Sequence, residues 1–201
     1  TTTAFLLENF NTNIISKEVD SESVFERDAL PILKDILNVN VNVQHIFEKS
    51  DEPLFHRQKV LNEMVAMSKT EIVINYDCDV LLPLSSYHGA YQSILHHKYD
   101  IVYPYGQGMY QQQVKVTDEI ASHFLQTGNF DYLNEYSNLH TSDFGWVQFF
   151  RRQDYIDGGL ENENFKAYAP EDKERFYRFT TLGYNVGRIN NYVYHLEHAR
   201  G

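Results

Sequence analysis

The sequence predicts an α/β fold, one domain with a mostly parallel central sheet flanked by helices. Three observations predict it. Short β-branched or alternating runs suited to strands exchange with helical-period runs from the start of the chain. The 201 residues suffice for one α/β core and are too few for two full domains. Hydrophobic residues at 42% and charged residues at 22% describe an ordinary globular chain and not a disordered one.

Taken in order, the apolar run Thr3–Leu7 suits a buried strand. Ser23-Val24-Phe25-Glu26 has the S-x-x-E form of a capping box, with Phe25, Ala29, Leu33 and Ile36 following at helical spacing. Pro31 interrupts that pattern, so a kink or break is expected there. Val39-Asn40-Val41-Asn42-Val43 alternates with period two and marks a half-buried strand. Arg57–Met67 reads as a helix with Val60, Leu61, Met64 and Met67 on one side, and Ile72-Val73-Ile74 as a central strand. Ser85–His97 is an amphipathic helix, Ile101–Tyr103 a brief strand, and Thr117–Gln126 a helix closed by Gly128. The stretches 106–113 and 128–142 are polar, aromatic and irregular, and are expected to be long functional loops. The last third offers a strand near Trp146–Phe150, a short helix ending at Gly158-Gly159, a helix over Glu171–Leu182 and a strand near Asn185–Arg188. No repeat or low-complexity segment interrupts this order.

The net charge of −11 argues against a nucleic-acid partner, because phosphate binding normally needs a basic face. It is compatible with a nucleotide whose phosphates are neutralised by a metal and one or two arginines. Cys78 is the only cysteine, which makes a reducing, cytoplasmic setting the expectation, with peripheral membrane attachment left open. No apolar run approaches the roughly 20 residues of a membrane span, so no integral membrane segment is expected.

Three clusters carry chemistry. Asp77-Cys78-Asp79 directly follows the strongest strand signal, at the end of the sheet where ligands of open α/β proteins gather. Two carboxylates one residue apart can hold a hard divalent cation, one directly and the other through water or a ribose. An Asp-rich turn at a strand end would look the same. His195-Leu196-Glu197-His198 adds imidazole to carboxylate, which favours Mn2+ or a similar ion over Ca2+. Residues three apart on a strand face opposite ways, so His195 and His198 meet one metal only if the chain turns after His195. Otherwise His195 is preferred, and surface histidines in a tail are the plain alternative. Glu171-Asp172 opens an amphipathic helix after Pro170. Either the pair serves the helix dipole, or one member is a general base aimed at a hydroxyl. Gly158-Gly159 is a helix end, a place where backbone approaches a sugar, or both.

In order and spacing these pieces resemble a known family. Phe55-His56-Arg57, Leu61-Asn62 and Asp77-Cys78-Asp79-Val80 look like the nucleotide-binding half of GT-A glycosyltransferases. The run Phe144-Gly145-Trp146, Gly158-Gly159, Phe165, Glu171-Asp172, Arg178, Gly183-Tyr184 and Arg188 is similar to the C-terminal galactosyltransferase motif of the family 2, β-1,4-galactosyltransferase and chondroitin-polymerase-like group. The resemblance runs from Ala4 to the end and implies a GT-A, Rossmann-like single domain over 1–201. About 1–110 would bind the nucleotide sugar, and about 140–201 the acceptor and catalytic residues. It implies a metal-dependent inverting enzyme that moves a hexose or N-acetylhexosamine from a UDP-sugar to a glycan hydroxyl, with Mn2+ or Mg2+ as cofactor.

By that resemblance Asp79 binds the metal together with His195 and His198, and Asp77 touches the ribose or a metal-bound water. Arg57 and Arg27 lie on the nucleotide side, joined by Gly158 and Gly159. Asp172 is the base, Glu171 holds a sugar, and Trp146 offers the acceptor an apolar face. His195 replaces a methionine of the animal galactosyltransferases, Trp146 a small residue, and Ala169-Pro170 glycines. These departures bear on donor and acceptor identity. A sugar nucleotidyltransferase would carry a Gly-rich phosphate loop after the first strand, where Glu8-Asn9-Phe10-Asn11-Thr12 has no glycine. A non-catalytic sugar- or metal-binding module would need the metal cluster but not Glu171-Asp172.

Overall fold

The first segment departs from expectation. In the computed structural model, which describes residues 1–37, 41–166 and 170–198, Thr2–Asn9 is a helix, α1, and not a strand. A short apolar run does not by itself distinguish the two. Here the residues pack in two directions. Phe5 joins Tyr87, Phe124 and Phe130, while Ala4 and Leu7 join Leu33 and Leu37 in a second small cluster.

The first strand is β1 (Ile14–Asp20), paired in parallel with β2 (Val43–Lys49) from Ile14↔Val43 to Asp20↔Lys49. The alternating run predicts β2 too early. The strand lies C-terminal to most of that run, and Val39 and Asn40 fall outside the described residues. Between β1 and β2, a π-helical turn (Phe25–Ala29) passes into α2 (Leu30–Ile36) with Pro31 in the first turn, where its missing N–H is harmless. The break expected at Pro31 is this change of winding. The capping box is not made. Glu18 of β1 takes the Val24 and Phe25 N–H groups (2.7 and 3.2 Å) and the Ser23 hydroxyl (2.8 Å), and Glu26 turns to His45.

Helix α3 (Arg57–Met67) spans the expected residues, with Val60, Leu61 and Val65 buried and Met67 turned to solvent. Lys17 of β1 ties to it through Glu63. The core sheet has the order β3-β8-β5-β9, built from β3 (Ile72–Tyr76), β8 (Val147–Arg151), β5 (Ile101–Tyr103) and β9 (Val186–Arg188). β3 is therefore an edge strand of this sheet and not a central one. A second sheet has the order β4-β10-β6-β7, from β4 (Val80–Leu81), β10 (Val193–Leu196), β6 (Gly108–Val114) and β7 (Ser137–Ser142).

The α/β class holds, but the sheets are mixed: β3–β8, β5–β8, β10–β4 and β6–β7 are antiparallel, whereas β1–β2, β5–β9 and β10–β6 are parallel. The antiparallel pairs come partly from stretches expected to be loops. Residues 108–114 and 137–142 form an antiparallel pair, with α6 (Phe130–Asn134) before β7. β7 is the edge strand and mostly exposed, and the polar composition of the pair hides the strand signal.

The remaining helices are α4 (Leu84–Leu95), α5 (Asp118–Thr127), α7 (Arg152–Asp157) and α8 (Glu171–Thr181). α5 shows why local chemistry predicted it well. Thr117 accepts from the Ile120 N–H, and Gly128 ends the helix at φ 61, a left-handed cap that glycine adopts without a Cβ penalty. The main core gathers Val80, Leu81, Val102, Val147, Phe149, Phe150 and Val193 from both sheets, with Tyr155 and Phe179 from α7 and α8. Among the described residues no helix is long and apolar enough to cross a membrane.

Candidate active site

The loop after β3 is held from both sides. The Asp77 N–H donates to the Trp146 carbonyl (2.9 Å), continuing the β3–β8 pairing, and the Asp79 carbonyl accepts the Leu196 N–H (2.8 Å). The same tail is stitched to β6, where the Glu197 N–H meets the Val114 carbonyl at 2.8 Å. The two ends of the chain's chemistry, Asp77–Asp79 and His195–His198, are thus joined by backbone hydrogen bonds.

β10 ends at Leu196, and the chain leaves the strand direction there. Both imidazoles consequently reach one carboxylate oxygen: His195 Nε2 lies 3.1 Å and His198 Nε2 3.0 Å from Asp79 Oδ2. Nδ1 of His195 is buried without a partner, so that ring acts through Nε2. Burial disfavours ionisation of Asp79, but the bonds from His195 and His198 outweigh it and hold its carboxyl below the usual carboxylate range. One ligand atom from each of Asp79, His195 and His198 falls within 4.8 Å of the others, a set of two nitrogens and one oxygen able to hold a divalent transition ion.

Asp77 has a different task. Arg57, at the first turn of α3, donates from Nη2 to Asp77 Oδ1 at 2.6 Å. Burial raises the Asp77 pKa against the pull of Arg57, and the nearby charges of Asp172 and Asp79 raise it further. Burial works against the charged Arg57 as well, yet Asp77 and Asp172 together raise its pKa. Arg57 is thus a permanent cation set among acids.

On the far side, Asp172 and Glu171 open α8. Asp172 Oδ1 accepts from Arg175 Nη2 at 2.6 Å, and Oδ2 faces Gly145, where an added Cβ would stand 3.2 Å away. Glu171 is buried, and its Oε2 has no partner. Gly145 belongs to a strained turn. The Val147 N–H donates back to the Gly145 carbonyl (3.0 Å) across Trp146, whose φ is +65, a γ-turn geometry disfavoured for a side chain of that bulk. Such a residue costs on the order of 1–3 kcal/mol and persists only where its surroundings enforce it. They do so here. The Gly145 carbonyl also accepts from the buried Tyr105 hydroxyl and from Gln148 Nε2 (2.7 Å), and Arg188 lies over the rings of Tyr103, Tyr105 and Phe144 while bonding the Asp143 carbonyl at 2.5 Å. The Trp146 ring meets Tyr105 edge-on at 5.5 Å and stays partly exposed beside Asp77.

Two expected ligand contacts are placed elsewhere. Arg27 is spent at the surface, paired with Asp28 and Glu22, and none of its bonds reaches Asp77 or Arg57. Its turn is held by Glu18. Gly158 is buried, with Phe179 filling the space a Cβ would need and Arg178 taking its carbonyl, so its backbone is closed to a sugar. Gly159, at φ +94, is exposed and keeps that option.

Arg175, Glu161, Tyr155 and Asn75 were not singled out by the sequence. Arg175 Nη1 contacts both Glu161 oxygens at 2.8 Å, Asn75 Nδ2 donates to the Tyr155 hydroxyl at 2.7 Å, and that hydroxyl donates to Glu161. The only available signal was the three-residue spacing of Asp172 and Arg175, which ordinarily describes a pair on a helix surface.

No family model matches the chain, and no curated protein matches it. Solved structures do. TarS from S. aureus, residues 1–349 in complex with UDP-GlcNAc, superposes with a TM-score of 0.57 at 14% identity, covering 99% of this chain and 56% of that one. A mannosyltransferase, PcManGT from Pyrobaculum calidifontis, in complex with GDP-Man and Mn2+, gives 0.55 at 14% identity over 94% of this chain and 49% of that one. GalNAc-T7 with UDP, GalNAc and Mn2+ gives 0.54 at 11% identity over 92% and 38%. The chain therefore spans about half the length, or less, of these structures. The likeness establishes the fold, which is that of the GT-A glycosyltransferases.

Proposed function

We propose that this chain is a metal-dependent inverting glycosyltransferase that moves a hexose or N-acetylhexosamine from a UDP-sugar to a glycan hydroxyl. The observation that carries the proposal is the convergence of Asp79, His195 and His198 beside the Arg57–Asp77 pair, in a GT-A fold. The solved structures that share the fold support it, since they hold UDP-GlcNAc, UDP with Mn2+, or GDP-Man with Mn2+.

The donor set fits a divalent ion. Two imidazole nitrogens stand 3.0 and 3.1 Å from the shared carboxylate oxygen, about the spacing of adjacent ligands around a small ion with bonds of roughly 2.1 Å. When bound, the ion offsets negative charge on a departing diphosphate. The chain's own residues supply the rest. Arg57 draws phosphate into an otherwise acidic surface, and Asp77, steadied by Arg57, is available to a ribose hydroxyl. The open side of Trp146 gives a sugar ring an apolar face. Asp172 accepts the acceptor's hydroxyl proton as that oxygen bonds to the anomeric carbon and the bond to the diphosphate breaks. One such displacement inverts the centre, through a transition state comparable to that of glycosidases. The Gly-rich phosphate loop of a nucleotidyltransferase has no counterpart. The loop after the true first strand, Ser21-Glu22-Ser23, lacks glycine as well.

Calorimetric titration with UDP in Mn2+ and again in EDTA tests the metal-dependent binding, and UDP release from a panel of UDP-sugars tests the reaction. Tight binding only with Mn2+ and turnover of at least one donor are expected. Equal affinity in EDTA would overturn the metal's role, and silence with every donor would overturn the enzymatic assignment.

A further inference from the structure

We propose that Arg175 is a positioning residue for Asp172, leaving Oδ2 as the oxygen that receives the acceptor proton, and that Glu161, Tyr155 and Asn75 hold Arg175 in place. The inference rests on the assignment of Asp172 as the base.

Both terminal nitrogens of the Arg175 guanidinium are committed, while its buried Nε has no partner. The Arg175 side chain is 1% exposed. Nη1 serves both oxygens of Glu161, while Nη2 divides its two hydrogens between Asp172 Oδ1 (2.6 Å) and the Phe144 carbonyl (3.3 Å). Glu161 is equally buried and receives the Tyr155 hydroxyl and Asn75 Nδ2 (3.2 Å). Tyr155 itself is locked by stacking on Phe150 at 3.9 Å. A helix that needed only an i,i+3 ion pair would keep it at the surface, where desolvation costs little. Burying a guanidinium with a second, deep carboxylate behind it costs much more and gives no better helix. What the arrangement does provide is direction. Glu161 balances the Arg175 charge, so the buried pair is neutral, and the contact with Asp172 orients a carboxylate that keeps its own charge at the partly exposed end.

The opposite side of Asp172 is equally defined. Oδ2 points at Gly145, whose carbonyl is held by Tyr105 and Gln148 and whose missing side chain leaves the space open. Arg175 occupies one oxygen and Gly145 exposes the other. A base limited to one free oxygen, in one orientation, is what an in-line attack on a fixed anomeric carbon requires.

Five variants test this: Arg175→Lys, Gly145→Ala, Tyr155→Phe, Asp172→Asn and the double change Asp172→Asn/Arg175→Lys. For each, kcat for UDP release is measured with Mn2+ and whichever of UDP-Glc, UDP-Gal, UDP-GlcNAc or UDP-GalNAc the wild type turns over. UDP–Mn2+ affinity and Tm are measured alongside. Arg175→Lys and Gly145→Ala should lower kcat roughly tenfold or more, since small misplacements of reacting groups carry penalties up to about a hundredfold. UDP affinity should stay within about threefold. Tyr155→Phe should cost a few-fold in kcat with UDP affinity unchanged. The double variant should be no slower than Asp172→Asn alone, because a residue acting only through Asp172 has nothing left to position. If Arg175→Lys does not fold, Gly145→Ala and Tyr155→Phe decide by the same split.

Wild-type kcat in the folded variants, or losses in kcat matched by losses in UDP affinity, would overturn the positioning role. A fully active Asp172→Asn would remove the base assignment and this inference with it. An inactive Asp172→Asn beside a fully active Arg175→Lys would remove this inference alone.

Discussion

Gly158 closes α7 against the ring of Phe179, and replacing it with alanine separates packing from sugar contact. A Cβ at this position would stand 2.1 Å from Cε1, 2.6 Å from Cζ and 2.9 Å from Cδ1 of Phe179. Phe179 is fully buried among Phe150, Tyr155 and Tyr184, at ring distances of 6.3, 6.1 and 5.2 Å, with the Arg178 guanidinium 4.9 Å over its face. Carbon contacts relax to about 3.5 Å, so the ring must retreat by more than an ångström into space already filled. The backbone does not object, because φ −78 and ψ 0 lie in the helical region. Conformational entropy alone would therefore make alanine favourable by about 0.4–1 kcal/mol. Overpacking of a tight core costs about 1–3 kcal/mol, and a clash with three ring atoms belongs at the top of that range. The net expectation is a loss of about 2 kcal/mol, or a Tm lower by roughly 4–8 °C in a chain of this size. Thermal melts and urea titration measure it, and UDP titration with Mn2+ below the transition should give unchanged affinity. Wild-type Tm together with lost donor affinity would refute the packing argument and return Gly158 to the sugar site.

Asp172→Asn keeps size but removes the proton acceptor, so transfer at saturating donor should fall by roughly a hundredfold or more with UDP binding intact. Glu171→Gln, the control, should affect sugar affinity more than turnover, and full activity of Asp172→Asn would end the mechanism proposed above. Because both imidazoles reach Asp79 Oδ2, His195→Ala and His198→Ala should weaken Mn2+-dependent UDP binding to a comparable degree; unchanged binding in both variants would remove the tail from the site. Glu18→Ala should cost about 1–2 kcal/mol at pH 7, the scale of a lost helix cap. Burial would raise the Glu18 pKa, but bonds from Val24, Ser23 and Phe25 outweigh it and leave the folded value depressed. Its stabilisation is therefore full above the unfolded value of about 4.3 and lost as pH falls through the folded one. Urea melts at pH 7 and pH 3 should show the gap between wild type and variant closing in acid; an equal gap at both would refute the cap.

Helices with local signals were legible almost to the residue. α3 and α5 carry apolar periodicity, and α5 adds its own Thr117 and Gly128 caps, so their information lies within a dozen positions. β3 was equally plain as a strand, though its edge position was not, and the acidic loop after it was plain too. α1 was misread because four adjacent apolar residues suit either a strand or a helix until their partners are known. The β6–β7 pair was missed because β7, an edge strand open to water, needs no hydrophobic alternation, and β6 beside it carries Gln111–Gln113 in place of an apolar run. Asp79, His195, Asp77, Arg57 and Asp172 could be named from residue type, order and resemblance, although the roles assigned to them remain proposals.

The sequence by itself determined the kinds of groups available: carboxylates at a strand end, imidazoles in the tail and an acidic pair opening a late helix. It could state the condition for His198 to join His195 but could not say whether the chain meets it. Only the tertiary structure decided that, because the turn after Leu196 depends on backbone bonds to Asp79 and Val114, more than 80 residues away in the chain. The same holds for Arg175, which i,i+3 spacing would leave at the surface and which Glu161, Tyr155 and Asn75 draw inside. Arg27, expected on the nucleotide side, pairs at the surface with Glu22 and its own neighbour, Asp28. Local sequence specifies backbone bias and chemical type. Which oxygen is pinned, which is free and which cation is buried depend on contacts between distant segments, and those exist only once the sheets have paired.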